Sequence, residues 1–226
     1  MIRFAADRVL LGGRPVLLDV DVGIVAGTLV ALCGPNGAGK STLLRGLAGL
    51  LPGARRPDPR RVAYLPQGAR CAWGLTVEEV AALGRIPHRD VAQAPVTRAL
   101  HDCGLIGLRT ARIDRLSGGQ ARRAMLARVF ATDPAVFLLD EPTADLDPAA
   151  AHEVMALLQR TARGGKAVVV VVHALDLALR YADRMLVLAG GRITEDAAPE
   201  AALPAVAAAF GLPYGVDATP RLLPPA

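Results

Sequence analysis

Gly34-Pro35-Asn36-Gly37-Ala38-Gly39-Lys40-Ser41-Thr42 sets three glycines and a lysine directly ahead of two hydroxyl side chains. The glycines let a backbone wrap closely, so that successive N–H groups turn inward onto phosphate oxygens. Lys40 adds a compact charge suited to the β- and γ-phosphates of a nucleotide, and the Ser41 hydroxyl suits Mg²⁺. Asp140 and Glu141 end the apolar run Val136-Phe137-Leu138-Leu139. The first carboxylate can hold the metal ion and the second can face the water that attacks the last phosphate. Leu116-Ser117-Gly118-Gly119-Gln120 puts a serine and two glycines at the start of a helix, which makes a second anion site. One chain rarely needs two such sites for one nucleotide; two chains facing each other do.

These residues need elements to hold them. Leu29-Val30-Ala31-Leu32-Cys33 is a short apolar run that predicts a buried strand, and residues 43–50 predict a helix. Strand, Gly-rich turn and helix is the context that the phosphate loop requires. Residues 2–11 and 15–24 predict two strands joined at Gly12-Gly13, and Val62 to Leu65 another. Thr76-Val77-Glu78-Glu79 forms a T-x-x-E capping box opening a helix to Leu83, which Gly84 to His88 breaks. Pro95 starts a second helix that ends at Gly104, and Ser117 caps a third, from Gly119 to Ala131. Strands at Val136–Leu139 and Ala167–Val172 have the unbroken apolar character of a parallel sheet buried on both faces. Helices are expected at 150–160 and 176–181, a hairpin across Gly190-Gly191, and one or two short helices after Pro199. The fold class is therefore α/β, a parallel-sheet core with N-terminal antiparallel strands and an inserted helical block. Ligands in such sheets bind beyond the carboxyl ends of the strands, so the phosphate loop, Asp140 and His173 can share one rim.

Composition bounds the partners. The chain has 226 residues, 52% hydrophobic, and a net charge of +5. No apolar run reaches the length of a membrane span, and Met1 to Asp7 lacks the apolar core of a signal peptide, so a cytosolic protein is expected. Cys33, Cys71 and Cys103 have no metal-ligand spacing and suit a reducing compartment. The only lysines are Lys40 and Lys166, which sharpens the case for Lys40. The arginine clusters at Arg55, Arg56, Arg60, Arg61 and at Arg109, Arg112, Arg115 have no interleaved aromatics. They read as solvated surface, and no nucleic-acid partner is expected.

Over nearly its whole length the chain resembles the nucleotide-binding subunit of ATP-binding cassette transporters. The phosphate loop is residues 34–41, Gln67 matches the Q-loop glutamine, and Leu116 to Gln120 read LSGGQ, the family signature. Leu138-Leu139-Asp140-Glu141-Pro142-Thr143 matches the acidic strand end, Ala144-Asp145-Leu146-Asp147 the D-loop, and His173 the switch histidine. The resemblance implies a P-loop NTPase (RecA-like) core with an inserted helical subdomain. Residues 1–226 would be one ATPase domain: 1–67 and 126–198 the core with its β subdomain, 68–125 the helical subdomain, and 199–226 a tail. It implies ATP and Mg²⁺ as cofactors, with Ser41, Gln67 and Asp140 around the metal. Glu141 would be general base, with His173 and Ser117 on the γ-phosphate and Gln67 signalling to a permease. It also implies a head-to-tail dimer holding each ATP between one chain's loop and the other's LSGGQ. Leu11 stands where the family usually stacks an aromatic on adenine, and the connector before Tyr64 is short.

The resemblance further implies an importer ATPase on the inner face of the membrane. It would dock on an integral-membrane permease and serve a substrate-binding protein indirectly. An exporter cassette and a soluble cassette acting on DNA or ribosomes are the alternatives. The run from Thr76 to His88, T-V-x-E-V…L-G-R-x-P-H, and the tail around Phe210 look like cassettes of importers for ferric siderophores, haem and vitamin B12. Trp73 could anchor a permease helix, with Arg85 or His88 pairing at its polar rim. The short connector keeps zinc or manganese import as the runner-up. A simple helix break at Gly84 to Pro87 is the alternative for the motif itself.

Overall fold

The computed structural model describes residues 1–52, 54, 56–71, 74–90, 92–212, 214–216 and 220–222; Arg55, Trp73, Pro213 and residues 223–226 are among those outside them. The chain opens with β1 (Ile2–Leu11) and β2 (Arg14–Ile24), then β3 (Leu29–Cys33), α1 (Lys40–Leu47) and β4 (Val62–Leu65). The helical stretch follows as α2 (Val77–Ala82), α3 (Gln93–Asp102) and α4 (Gly118–Ala131). Then come β5 (Val136–Asp140), α5 (Pro148–Arg163), β6 (Ala167–Val171), α6 (Leu175–Tyr181), β7 (Arg184–Ala189) and β8 (Arg192–Ala197). The tail holds α7 (Leu203–Phe210) and a short antiparallel pair, β9 (Tyr214–Val216) with β10 (Pro220–Leu222).

The main sheet has six strands in the order β4-β5-β6-β3-β7-β8, all parallel except β8. Every residue of β3, β5 and β6 is buried, as their unbroken apolar runs predict. The two-residue strand period sorts them onto two cores. Leu29, Ala31 and Cys33 face the helices α2 to α6 with Phe137, Leu139, Val168 and Val170. Val30 and Leu32 face α1 and the β1–β2 ribbon with Leu138, Val169 and Val171. Asp140 pairs with Val171, and Val171 with Leu32, so the ends of β5, β6 and β3 lie in one row. The residues that follow them share that rim.

The expected capping box forms at Thr76, and the expected cap at Ser117 proves to be a second one. Thr76 accepts from the Glu79 N–H while the Glu79 carboxylate accepts from the Thr76 N–H, and Ser117 and Gln120 do the same for α4. Other boundaries move. Helix α1 begins at Lys40, three residues before the expected start, because the loop runs straight into it. Helix α3 starts at Gln93, with Pro95 inside its first turn. Helix α5 is longer than expected because Asp147 caps it and Pro148 supplies its first turn. The β9–β10 pair was not expected.

Helix α2 ends at Ala82, as the break expected at Gly84 to His88 requires. Leu83–His88 continues it as a 3₁₀ turn pressed on the end of α4. A Cβ at Gly84 would lie 2.0 Å from the Arg128 carbonyl oxygen, so only glycine allows this approach. Thr132 donates to the Gly84 carbonyl at 3.0 Å, and Arg85 donates to the Ala131 carbonyl at 3.0 Å and pairs with Asp90. His88 Nε2 lies 2.9 Å from the Thr132 carbonyl oxygen. Arg85 is thus buried and engaged within the fold and does not offer the rim pairing expected of it; His88 is half-buried against the same helix end, and Ile86, 67% exposed, is the most exposed side chain of this turn.

Candidate active site

The phosphate loop is wedged in place. Gly34, at φ 142°, sits so close to the end of β7 that a Cβ would be 2.1 Å from the Leu188 carbonyl oxygen. At Gly39, φ 104°, a Cβ would be 2.7 Å from Leu17 Cδ2 of β2. Lys40 opens α1 and is 7% exposed. Its ammonium donates to the carbonyls of Gly34 at 2.7 Å and Pro35 at 2.9 Å, across the mouth of the loop. Burial lowers its proton affinity, and the charges of Glu141 and Asp140 oppose that.

A cavity of about 340 Å³ lies against the loop, lined by Val16, Asn36, Gly37, Gly39, Lys40, Ser41, Thr42, Gln67 and Glu141. The parallel sheet thus gathers Gln67, after β4, and Glu141, after β5, around Lys40 and Ser41. Asp140 lies beneath at 1% exposure, and neither of its carboxylate oxygens has a hydrogen-bond partner among the described residues. Burial raises its proton affinity most; the nearby Ser41 hydroxyl lowers it, the Glu141 charge raises it, and Lys40 and Arg122 lower it. The Ser41 and Tyr64 hydroxyls lie close enough to bear on the proton without meeting the geometry of a full hydrogen bond, and by that geometry the carboxylate is orphaned. A buried carboxylate without a donor, beside a serine hydroxyl, is a donor set that fits a hard cation.

Glu141 has φ 52°, in the left-handed region that a side-chain-bearing residue rarely enters. Its Oε1 lies 2.6 Å from His173 Nε2. A carboxylate only accepts, so the imidazole Nε2–H donates, and the other carboxylate oxygen makes no hydrogen bond among the described residues. Arg122 of α4 holds the same turn from behind, donating to the backbone carbonyls of Asp140 and Glu141.

Leu116, Ser117, Gly118, Gly119 and Gln120 do not line this cavity. Ser117 Oγ is the N-cap of α4, accepting from the Gln120 N–H at 3.2 Å. Asp145, at φ 64°, borders a second cavity with Gly68 to Cys71 and the start of α4. The Asp147 carboxylate is engaged in capping α5. Leu11 ends β1 opposite Arg14 and is not in the cavity wall, whereas Val16 is. Sequence reading missed Val16, whose only signal is its place two residues into β2, and Arg122, whose signal is a charge inside a helix that buries half of its residues.

The fold and this site are those of a phosphate-loop ATPase. The family model described as "ABC transporter" matches residues 17–144. The chain belongs to that family. It is 44% identical to the hemin import ATP-binding protein HmuV of Streptomyces coelicolor over 212 residues, covering 85% of this chain and 76% of the relative. It is 37% identical to the cobalamin import ATP-binding protein BtuD of Halobacterium salinarum, covering 93% of this chain and 58% of that one. A solved ATP-binding subunit of an ABC transporter superposes with a TM-score of 0.76 at 26% identity, covering 93% of this chain and 94% of the other. No helix among the described residues is long and apolar enough to cross a membrane.

Proposed function

We propose that the chain is the ATP-hydrolysing subunit of an importer, working as a homodimer beneath a membrane permease and moving haem or a related chelate. The observation that carries the ATPase part is the open carboxylate oxygen of Glu141, oriented by His173 at 2.6 Å and facing Lys40 and Ser41 across one cavity. Lys40 exchanges its carbonyl partners for β- and γ-phosphate oxygens as the triphosphate enters, and the backbone N–H groups of residues 34–42 bind the remaining oxygens. Glu141 takes the proton of the attacking water, and His173 keeps its carboxylate aligned. Ser41 and Asp140, with Gln67 at the rim, are the residues that would hold Mg²⁺. When bound, Mg²⁺ supplies neutralisation of phosphate charge. Val16 offers the base only aliphatic contact, and Leu11 lies outside the cavity wall.

Leu116 to Gln120 stand apart from the chain's own cavity, which supports their use on the nucleotide of a second copy, together with Asp145 and Asp147. We assign 1–67 and 126–198 to the core, 68–125 to a helical subdomain and 199–226 to a tail. The names of the relatives, for hemin and cobalamin, support the cargo class, reached through a substrate-binding protein. The test is uptake in a deletion strain. Growth on haem or corrinoid should be lost, restored by the wild type, and not restored by Glu141→Gln, whose hydrolysis should fall at least about 100-fold while ATP still binds. Normal growth on both sources without the gene would refute the cargo.

A further inference from the structure

Arg122 lies in α4, five residues after the signature serine, and its guanidinium reaches the turn that follows β5. It is 8% exposed, a rare position for an arginine. It donates to the carbonyl of Asp140 at 3.1 Å, to that of Glu141 at close range and, at 3.4 Å, weakly to that of Pro142. Three consecutive carbonyls thus converge on one planar guanidinium. Burial lowers its proton affinity, and the charges of Asp145, Glu141 and Asp140 oppose that.

The held segment includes a strained residue of the cavity wall. Glu141 occupies left-handed backbone, which persists only where the surroundings enforce it. Its carbonyl takes a second bond from the Ala144 N–H at 3.2 Å, but that bond is made within the turn and cannot anchor it to the rest of the fold. Arg122 is the anchor. Backbone direction at Glu141 decides where its carboxylate points, so the bond to His173 and the open oxygen both depend on the guanidinium behind them. Removing the fork lets the turn relax toward ordinary dihedrals and swings the carboxylate off the water.

We propose that Arg122 is a positioning residue for ATP hydrolysis, holding the Glu141 turn by its carbonyls without touching nucleotide. This rests on Glu141 being the general base. A displacement of α4 would then reach the catalytic carboxylate through one side chain.

The test uses the full chain, with phosphate release at saturating ATP for turnover and a fluorescent ATP analogue for affinity. Arg122→Gln should lower kcat at least about 10-fold and leave nucleotide affinity within about 2-fold, since the group touches no ligand. Arg122→Lys keeps charge but not the fork, and should recover part of the loss. In a Glu141→Gln background, Arg122→Gln should remove nothing further, because both changes disable one unit. If Arg122→Gln does not fold, the lysine variant carries the same split between kcat and affinity. A folded Arg122→Gln with wild-type turnover overturns the proposal, as does an equal further loss in the Glu141→Gln background. Wild-type hydrolysis by Glu141→Gln alone would instead remove the base assignment beneath it.

Discussion

Asp140→Asn should stabilise the nucleotide-free chain at neutral pH even as it ends hydrolysis. The carboxylate is 1% exposed and neither oxygen has a hydrogen-bond partner among the described residues. A buried polar group left without a partner costs about 1–3 kcal/mol. Asparagine keeps the shape and carries no charge to desolvate, so about 1–2 kcal/mol should return. For a chain of this size each kcal/mol moves Tm by about 2–4 °C, which gives a rise of roughly 2–8 °C. The pH dependence follows from the direction of the shift. Burial raises the proton affinity of Asp140 in the folded state. The folded form thus holds the proton more tightly than the unfolded chain. The penalty is absent below the unfolded value, grows as pH climbs toward the folded value, and is complete above it. Scanning calorimetry in EDTA at about pH 4 and about pH 7.5 should show a gap between variant and wild type only at the higher pH. With ATP and Mg²⁺ the order should invert. Ligand at about 100 times its Kd adds about 2.7 kcal/mol to the wild type, and the variant lacks the group that would hold the metal. A variant less stable than wild type at neutral pH without nucleotide refutes this account, as does a gap of the same size at both pH values.

Lys40→Arg should lose about 100-fold or more in phosphate release at saturating ATP, since a planar fork does not fit a loop whose ammonium sits 2.7 Å from the Gly34 carbonyl oxygen; wild-type turnover would show that the loop tolerates a larger cation. Gly84→Ala should destabilise by about 2–3 kcal/mol in urea titration, through overpacking and the strained bonds around Thr132. Gly107→Ala, where a Cβ would meet nothing within 4 Å, serves as control and should stay within about 0.5 kcal/mol of wild type. Equal midpoints for the two alanine variants would mean that the turn yields freely.

What sequence reveals here is what is decided locally. The Thr76–Glu79 capping box, the Ser117 cap and the Asp140-Glu141 pair at a strand tip each complete their geometry within a few residues, and each forms as expected. Gly84 shows the limit. Beside Pro87 it reads as a breaker, but its conformation is set by the Arg128 carbonyl of another helix. Val16 and Arg122 fail for the same reason. One owes its place to a ribbon stacked over the loop, and the other to a strand end that α4 meets only in the folded chain. Arg85 and His88 look available in sequence because nothing local reveals the carbonyls at the end of α4 that engage them.

The wedging of Gly34 against Leu188 and of Gly39 against Leu17 bears on how the site greets a nucleotide. Ordering a free backbone costs about 1–2 kcal/mol per residue. Here neighbouring strands impose that order during folding, before any guest arrives. Association should therefore draw little on conformational entropy, and affinity should follow the charge of the phosphates. Salt is then the sensitive variable: raising ionic strength should weaken capture of triphosphate, while viscosity or crowding leaves it nearly untouched.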